Sequence, residues 1–469
     1  MFNKLLNMLR QALRRLVAYK NISEIYAYTN VISQEMENAI ELWYNMYHNK
    51  APWLGDNVKS LSLPSTIASE MARMVTLEMA FTVSGSPRAD YINSQLDKFR
   101  DDIRIQLEYG LAFGSLAIKP YVKDGNIYFD YTPPVIFFPI EFDDNRRITA
   151  AAFVESIVSG QTTYTRVEYH KLTEKGVVIT NNAYKSVNKN DLGMDCPLTA
   201  IPQWAELQPE TLIEGVDRLL IAYFRVPLAN TIDCLSPIGA SIYSQASGLI
   251  EQADRQYSRL LWEYEGGELA VDVDANAVKP KKDKRGYEVS HLNDRLYRKL
   301  DTGEDSTYHV FNPALRDESI IRGLDKIKMQ IEDTVGLARG SLSEVNAEAR
   351  TATELKILRQ RTYATVSDIQ KELQRVIDDI VYINDKYCEL YKLTPPGSYE
   401  TSYSWDDSII NDEKEQREEK LEMLSNNLLS RKSYLMWYYG ITDVEAQKML
   451  DEIDADSPSV SAMFGSEEK

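Results

Sequence analysis

The sequence predicts an α+β protein, predominantly helical, in which a mixed body is followed by long helices. Three observations carry this. Apolar residues recur at helical spacing from Ile242 to Tyr264, from Ile320 to Leu337 and from Leu355 to Leu390. Period-two stretches bounded by turn residues fall between Leu116 and Lys185. The 469 residues are 43% hydrophobic, 26% charged and 10% aromatic, the composition of a folded chain long enough for two to four substructures.

The elements follow in order. Met1 to Asn21 spaces Leu5, Leu9, Leu13, Leu16 and Val17 along one side of a basic amphipathic helix. A lipid surface is one partner for such a helix; docking onto the protein's own body or a neighbouring subunit is the preferred reading. Helices are expected over Val31–His48, Leu63–Met79 and Ala89–Glu108, with "NKAPW" breaking the pattern after the first. "LAIKPYVKDGNIYFDYT" reads as a hairpin turning at Asp124 and Gly125, and "AAAFVESIV", "TTYTRVEYHKL" and "KGVVITNNAYK" continue the strands of a body ending near Asn230.

The architecture then becomes long and helical. The stripe Ile242, Ala246, Leu249, Ile250, Ala253, Tyr257, Leu260, Leu261 and Tyr264 is stopped by "EGG" at Glu265–Gly267. A compact insert, Glu268 to Pro313, holds strand-like "ELAVDVD" and "STYHVFN" around the basic "VKPKKDKRGYEV". A second helix carries Ile320, Ile321, Leu324, Ile327, Ile331, Val335 and Leu337, and the small polar stretch "RGSLSEVNAEARTATELK" follows it. From Thr351 to Thr394 there are 44 residues without Gly or Pro, about 66 Å as one helix, which is wider than a single globular core. "GSYETSYSWDDS" reads as a strand, a charged helix starts at Asn411, two short helices close the pattern, and the Ser-rich tail after Asp454 is expected to be disordered.

Charge excludes a general nucleic-acid binder. The net charge is −18, and from Glu400 to Lys469 there are 17 acidic against 7 basic side chains, so tight binding through phosphate neutralisation is not available to the chain as a whole. The exception is Lys279 to Lys299, with eight Lys or Arg against Asp283, Glu288 and Asp294. Either a solvated turn or a docking surface for an acidic partner fits that local excess. The 29 tyrosines suit half-buried surfaces and subunit contacts. Cys196, Cys234 and Cys388 fit no zinc spacing and read as separate thiols in a reducing, cytoplasmic setting. No apolar run approaches the ~18 residues of a membrane span.

Catalytic patterns are missing as well. His48, His170, His291 and His309 are scattered, and there is no Gly-x-Ser-x-Gly elbow, no His-Glu-x-x-His and no paired cysteines. "GLAFGSL" at Gly110–Leu116 lacks the Lys a phosphate loop needs. The paired acids of "FDDN" and "WDDS" read as turns and caps. A protein that is not an enzyme, with no cofactor and no metal, is expected.

The order of parts, with "SPIGASIYSQASGLIEQADRQYSRLLWEYEGGE", a small insert, "DKIKMQIEDTVGLARGSLSE" and then "ARTATELKILRQRTYATVSDIQKELQ", resembles the portal proteins of tailed bacteriophages, closest to the portal family of siphophages of Gram-positive hosts. The resemblance runs from "ELWYNMYHNKAPW" to "YLMWYYGITDVEAQKMLDEI" and is most specific at "GLARGSLS…ARTATE". It implies a portal-type fold with wing, stem, clip and crown regions, assembled as a ring, usually a dodecamer, at one capsid vertex of the virion after assembly in the host cytoplasm. Double-stranded DNA passes through the ring during packaging and ejection. The partners implied are the terminase, a head-tail adaptor protein, and the major capsid and scaffolding proteins, with no membrane.

Carried onto this chain, residues 1–235 are wing, 236–266 the descending stem helix, 267–314 the clip and 315–339 the ascending stem helix. Residues 340–350 are a tunnel loop, 351–395 the long wing helix, 396–454 the C-terminal strand and crown helices, and 455–469 the tail. In the tunnel loop Ser341, Leu342, Ser343, Glu344, Val345, Asn346 and Glu348 would border the channel, the small residues allowing close approach and the acids discouraging phosphate from sticking. Lys326, Lys328 and Arg339 are candidates for guiding the duplex, and Lys279, Lys281, Lys282, Lys284 and Arg285 for partner docking in the clip. The alternatives are a membrane-surface or cytoskeletal helical scaffold and a metal-dependent nuclease built on the clustered acids.

Overall fold

A computed structural model describes residues 33–451 except 78, 188–191, 235, 237, 275–280, 283–287, 290–296, 301–307, 345–351, 406–412, 427 and 440–445. The N-terminal amphipathic stretch and the tail, read above as helix and disorder, lie outside the described residues. Contacts divide the chain into a large unit to Ser404 and a small one from Trp405.

The large unit opens with α1 (Gln34–Tyr47), capped by the Ser33 hydroxyl accepting from the Met36 amide. Its buried face, Met36, Ile40, Trp43 and Met46, keeps the expected period. Next comes α2 (Leu63–Thr76), shorter than predicted, because Met79–Ser84 forms strand β1 and alternates buried and exposed side chains. The helix expected over Ala89–Glu108 is two, α3 (Pro87–Gln95) and α4 (Asp97–Phe113), broken at Leu96. Arg100 holds the break by bonding the Asn93 carbonyl at 3.0 Å and its side-chain oxygen at 2.6 Å.

Strands β2 (Ser115–Lys123) and β3 (Asn126–Thr132) form the predicted hairpin, and β2 pairs on its other side with the later strand β10 (Ala222–Arg225), so the order is β10-β2-β3. The second sheet runs through β4 (Phe137–Phe142), β5 (Ile148–Ser159), β6 (Thr162–Thr173), β7 (Gly176–Ser186) and β8 (Met194–Cys196) in sequence order, all antiparallel. The β9 strand (Glu210–Glu214) pairs with the first half of β7, and β10 (Ala222–Arg225) returns to the first sheet. "GLAFGSL" is the junction of α4 and β2. A Cβ on Gly110 would press on the Phe224 ring at 2.9 Å, and the Gly114 carbonyl accepts the Val226 amide at 3.0 Å. These glycines serve packing, not phosphate.

Charged side chains on β2 and β6 meet where the two sheets approach. Glu168 binds Lys119 at 2.8 Å, Arg166 at 3.0 Å and His170 Nε2 at 2.7 Å. Burial works against the Glu168 charge, but the His170 hydrogen bond and the Lys119 ammonium outweigh it and hold the carboxyl well below the usual range. Burial pushes His170 down. Among the described residues its buried Nδ1 has no hydrogen-bond partner, which fits a neutral ring donating from Nε2 and carrying a lone pair on Nδ1.

The body is followed by two long helices, α5 (Ser247–Gly266) and α6 (Asp317–Val335). The first begins later than its stripe suggested. Ile242 and Ala246 are buried in turns before it, and the Ile242 amide bonds the Leu111 carbonyl at 3.0 Å, a partner outside any helix of its own. Between the helices, β11 (Ala270–Asp274) pairs parallel with β14 (Tyr297–Leu300) and antiparallel with β15 (Tyr308–Phe311), while β12 (Lys281–Lys282) and β13 (Glu288–Val289) make a separate short ladder.

The helix α7 (Ala352–Leu390) has 39 residues and is about 58 Å long. It packs on α2, α3, β2 and β10, burying Ile369, Leu373, Val376, Ile377, Ile380 and Ile383. Such a helix crosses the body instead of sitting inside one core. Strand β16 (Glu400–Trp405) pairs with β1 and brings the chain back to its beginning. The small unit contains α8 (Glu413–Ser425) and α9 (Arg431–Tyr439), where Arg417 lies over the Tyr438 ring at 5.3 Å and Lys420 over Trp437 at 4.9 Å. Among the described residues no helix is long and apolar enough to cross a membrane.

Candidate functional site

The stem-like pair α5 and α6 is antiparallel. Near the insert, Arg316 grips Glu263 through its backbone amide at 2.8 Å and its guanidinium at 3.1 and 2.7 Å, which pulls the Glu263 carboxyl below the usual range. One turn further along α6, the Gln256 amide donates to the Ile320 carbonyl at 3.3 Å. Leu324, Ile331 and Val335 supply the buried face of α6. The insert thus hangs from one end of the pair, and the polar loop leaves from the other.

That end of α6 is closed by Gly336 at φ +79°, a left-handed conformation that glycine adopts without strain. The Leu337 amide turns back to the Glu332 carbonyl at 2.9 Å. Beyond this point the loop does not leave the helix at once. The fully buried Glu332 side chain accepts the amides of Gly340 at 3.2 Å, Leu342, and Ser343 at 2.8 Å on Oε1, and the Ser343 hydroxyl at 2.8 Å on Oε2. One turn or more back along α6, Lys328 donates to the Leu342 carbonyl at 3.1 Å and Asp325 accepts the Glu344 amide at 2.8 Å. Next to Glu332, Asp333 pairs with Arg339 at 2.7 Å and lies 3.6 Å from Arg361 of α7. The Arg339 hydrogen bond holds the Asp333 carboxyl below its ordinary value.

The expected channel residues are therefore distributed unevenly. Ser341 and Glu344 are exposed, Leu342 is half-buried, and Ser343 is buried against Glu332 instead of facing solvent. Lys326 is exposed, with its ammonium 3.7 Å from the Met329 sulfur. Lys328 is occupied by a loop carbonyl and Arg339 by Asp333. Val345, Asn346 and Glu348 lie outside the described residues, as do Lys279, Lys284 and Arg285. In the insert Lys281 pairs with Val289 and Lys282 with Glu288 across the β12-β13 ladder.

Sequence reasoning passed over Glu332, Asp333 and Asp325, which place the loop. A signal was present: Glu332 follows Ile331 and precedes Val335 on the apolar side of α6, where a charged residue needs a polar partner. Among the described residues no group of three His, Cys, Asp or Glu could hold a metal ion, and the three cysteines are free thiols. The arrangement offers packing and hydrogen bonding.

No curated protein matches the chain. A family model described as "Phage portal protein, SPP1 Gp6-like" matches residues 12–459, a span that takes in the sheet body, the antiparallel helix pair with its insert, the anchored loop and the 39-residue helix. The chain belongs to that family of phage portal proteins.

Proposed function

We propose that copies of this chain assemble as a ring, a dodecamer in the virion, whose channel passes double-stranded DNA during packaging and ejection. In this reading α5 and α6 are the stem, residues 267–314 the clip, α7 the long helix across the wing, and the loop after Arg339 the part nearest the duplex. The observation that carries it is the polarity of the helix pair: a small sheet insert at one end, and at the other the loop after Arg339, followed in the chain by a helix of 39 residues. The net charge of −18 supports the same reading, since a negative wall lets a polyanion slide instead of holding it. The motor comes from a partner, the terminase, with the clip as docking surface for it and for a head-tail adaptor, and the capsid and scaffolding proteins meet the outer parts of the ring.

Negative-stain electron microscopy of the purified chain, with its mass measured by light scattering, tests the ring directly. Rings with a central hole are expected. A chain that stays monomeric at high concentration and low salt would remove the channel. Serine at Lys279, Lys281, Lys282, Lys284 and Arg285 is expected to leave the ring intact and to weaken binding of the terminase or adaptor; full binding by that variant would reject the docking role.

A further inference from the structure

Glu332 is a carboxylate with no exposed surface on a face otherwise made of Leu324, Ile331 and Val335. An ion buried in this way persists only where hydrogen bonds replace its water. Among the described residues, every hydrogen bond its side chain accepts comes from Gly340, Leu342 or Ser343. Three backbone amides and a hydroxyl converging on one anion make a nest, with the chain supplying its own anion. The Glu332 carbonyl meanwhile accepts the Leu337 amide that ends the helix.

The next residue extends the grip. Asp333 joins Arg339 of the loop and Arg361 of α7, and Gly336 packs so closely on Thr365 that a Cβ there would collide with the threonine hydroxyl. Two consecutive acids therefore tie the end of α6 to the loop root and to Arg361 of α7. Their roles differ. Asp333 makes ion pairs with exposed arginines, which solvent weakens, whereas Glu332 is dry and is bonded by the loop at three residues.

We infer that Glu332 is the positioning residue of the channel loop: it holds residues 340–344 at a set distance from the stem helix, so that the loop meets the duplex from a fixed base. The inference rests on the loop lying in the channel as proposed above. Ser343, Leu342 and Gly340 act on the Glu332 side of that base, and Ser341 and Glu344 are left on the outside.

Hydrogen exchange on the full-length assembled protein tests the anchor by itself. In Glu332→Ala the amides of Leu342 and Ser343 are expected to exchange about 10- to 100-fold faster, the loss of charge-assisted bonds. Glu332→Gln, whose side-chain oxygen still accepts amides, is expected to keep most of the protection. Should the alanine variant fail to assemble, Ser343→Ala removes the hydroxyl's bond to Glu332 and the bond it accepts from the Gly340 amide while leaving the backbone amides on Glu332, and a several-fold rise is expected. Unchanged exchange at Leu342 and Ser343 in whichever of these variants assembles would overturn the anchor. A packaging assay on procapsids carrying the same variant tests the channel reading separately: DNA uptake is expected to fall with the ring intact. Normal uptake by a ring with a loosened root would remove the role in DNA passage while leaving the anchor standing.

Discussion

The carboxylate of Asp254, buried on α5, accepts the Trp53 indole N–H at 2.9 Å. Its other oxygen accepts the Leu61 amide at 2.8 Å, so the loop after α1 is tied to α5, almost two hundred residues later. Burial pushes the Asp254 carboxyl up, because two neutral donors replace its water only in part. Asp254→Ala leaves both donors without an acceptor, and a loss of about 2–3 kcal/mol is expected. Asp254→Asn keeps an acceptor and costs less. Denaturant unfolding followed by tryptophan fluorescence measures both, and equal stability of the alanine variant and the parent would contradict the tie.

Arg88 is buried at the start of α3 and binds Asp385 of α7 at 2.9 Å, the Pro395 carbonyl at 2.9 Å and the Thr394 carbonyl at 3.1 Å. One guanidinium thus pins the end of the long helix and the turn after it. Removing one partner of a buried pair strands the other charge, so Arg88→Met is expected to cost about 3–5 kcal/mol. The double variant with Asp385→Asn recovers part of that loss. A double-mutant cycle that shows no coupling would mean the pair is structural decoration.

Acid sensitivity follows from Glu168 and His170. Burial keeps His170 neutral in the fold, while the unfolded chain binds a proton below its ordinary value of 6.5. Glu168 stays ionised in the fold, while the unfolded chain is protonated below the ordinary 4.5. Both place more protons on the unfolded state, so stability is present at neutral pH and falls as pH drops, first from about 6.5 and again below about 4.5. Thermal melting between pH 7 and 5 should show the first decline, and His170→Phe should flatten it. A midpoint independent of pH over that window would refute the linkage.

Gly336 cannot be replaced without strain. Its φ is +79°, and a Cβ would meet the Thr365 side chain. Gly336→Ala is expected to cost about 1–3 kcal/mol from the left-handed backbone, with the collision added. Pairing it with Thr365→Ala relieves the collision and leaves the backbone share, which melting of the single and double variants separates.

Local signals in the sequence were read correctly where a residue's partner was close by. Asp124 and Gly125 turn the β2-β3 hairpin, and helix α5 ends at the glycines of "EGG". The run from Thr351 is one long helix over its described part, because nothing in it interrupts the backbone bonds. Misreadings occurred where the partner was distant. The helix expected to reach Met79 stops at Thr76, and Met79–Ser84 is a strand paired with Glu400–Trp405, more than three hundred residues away. Leu96 breaks a good helical pattern because Arg100 and Asn93 stabilise the alternative.

The same division holds for the site. From the sequence alone came the fold class, the two long helices with an insert between them, the polar loop that follows, the acidic balance and the resemblance to portal proteins, since periodicity, turn chemistry and composition act within a few residues. Only the tertiary structure decided that Ser343 turns inward, that Lys328 and Arg339 are occupied, and that Glu332 organises the loop root. The reason is physical. A buried carboxylate is tolerated only with its donors already in place, and those donors reach Glu332 only after the chain has reversed at Gly336.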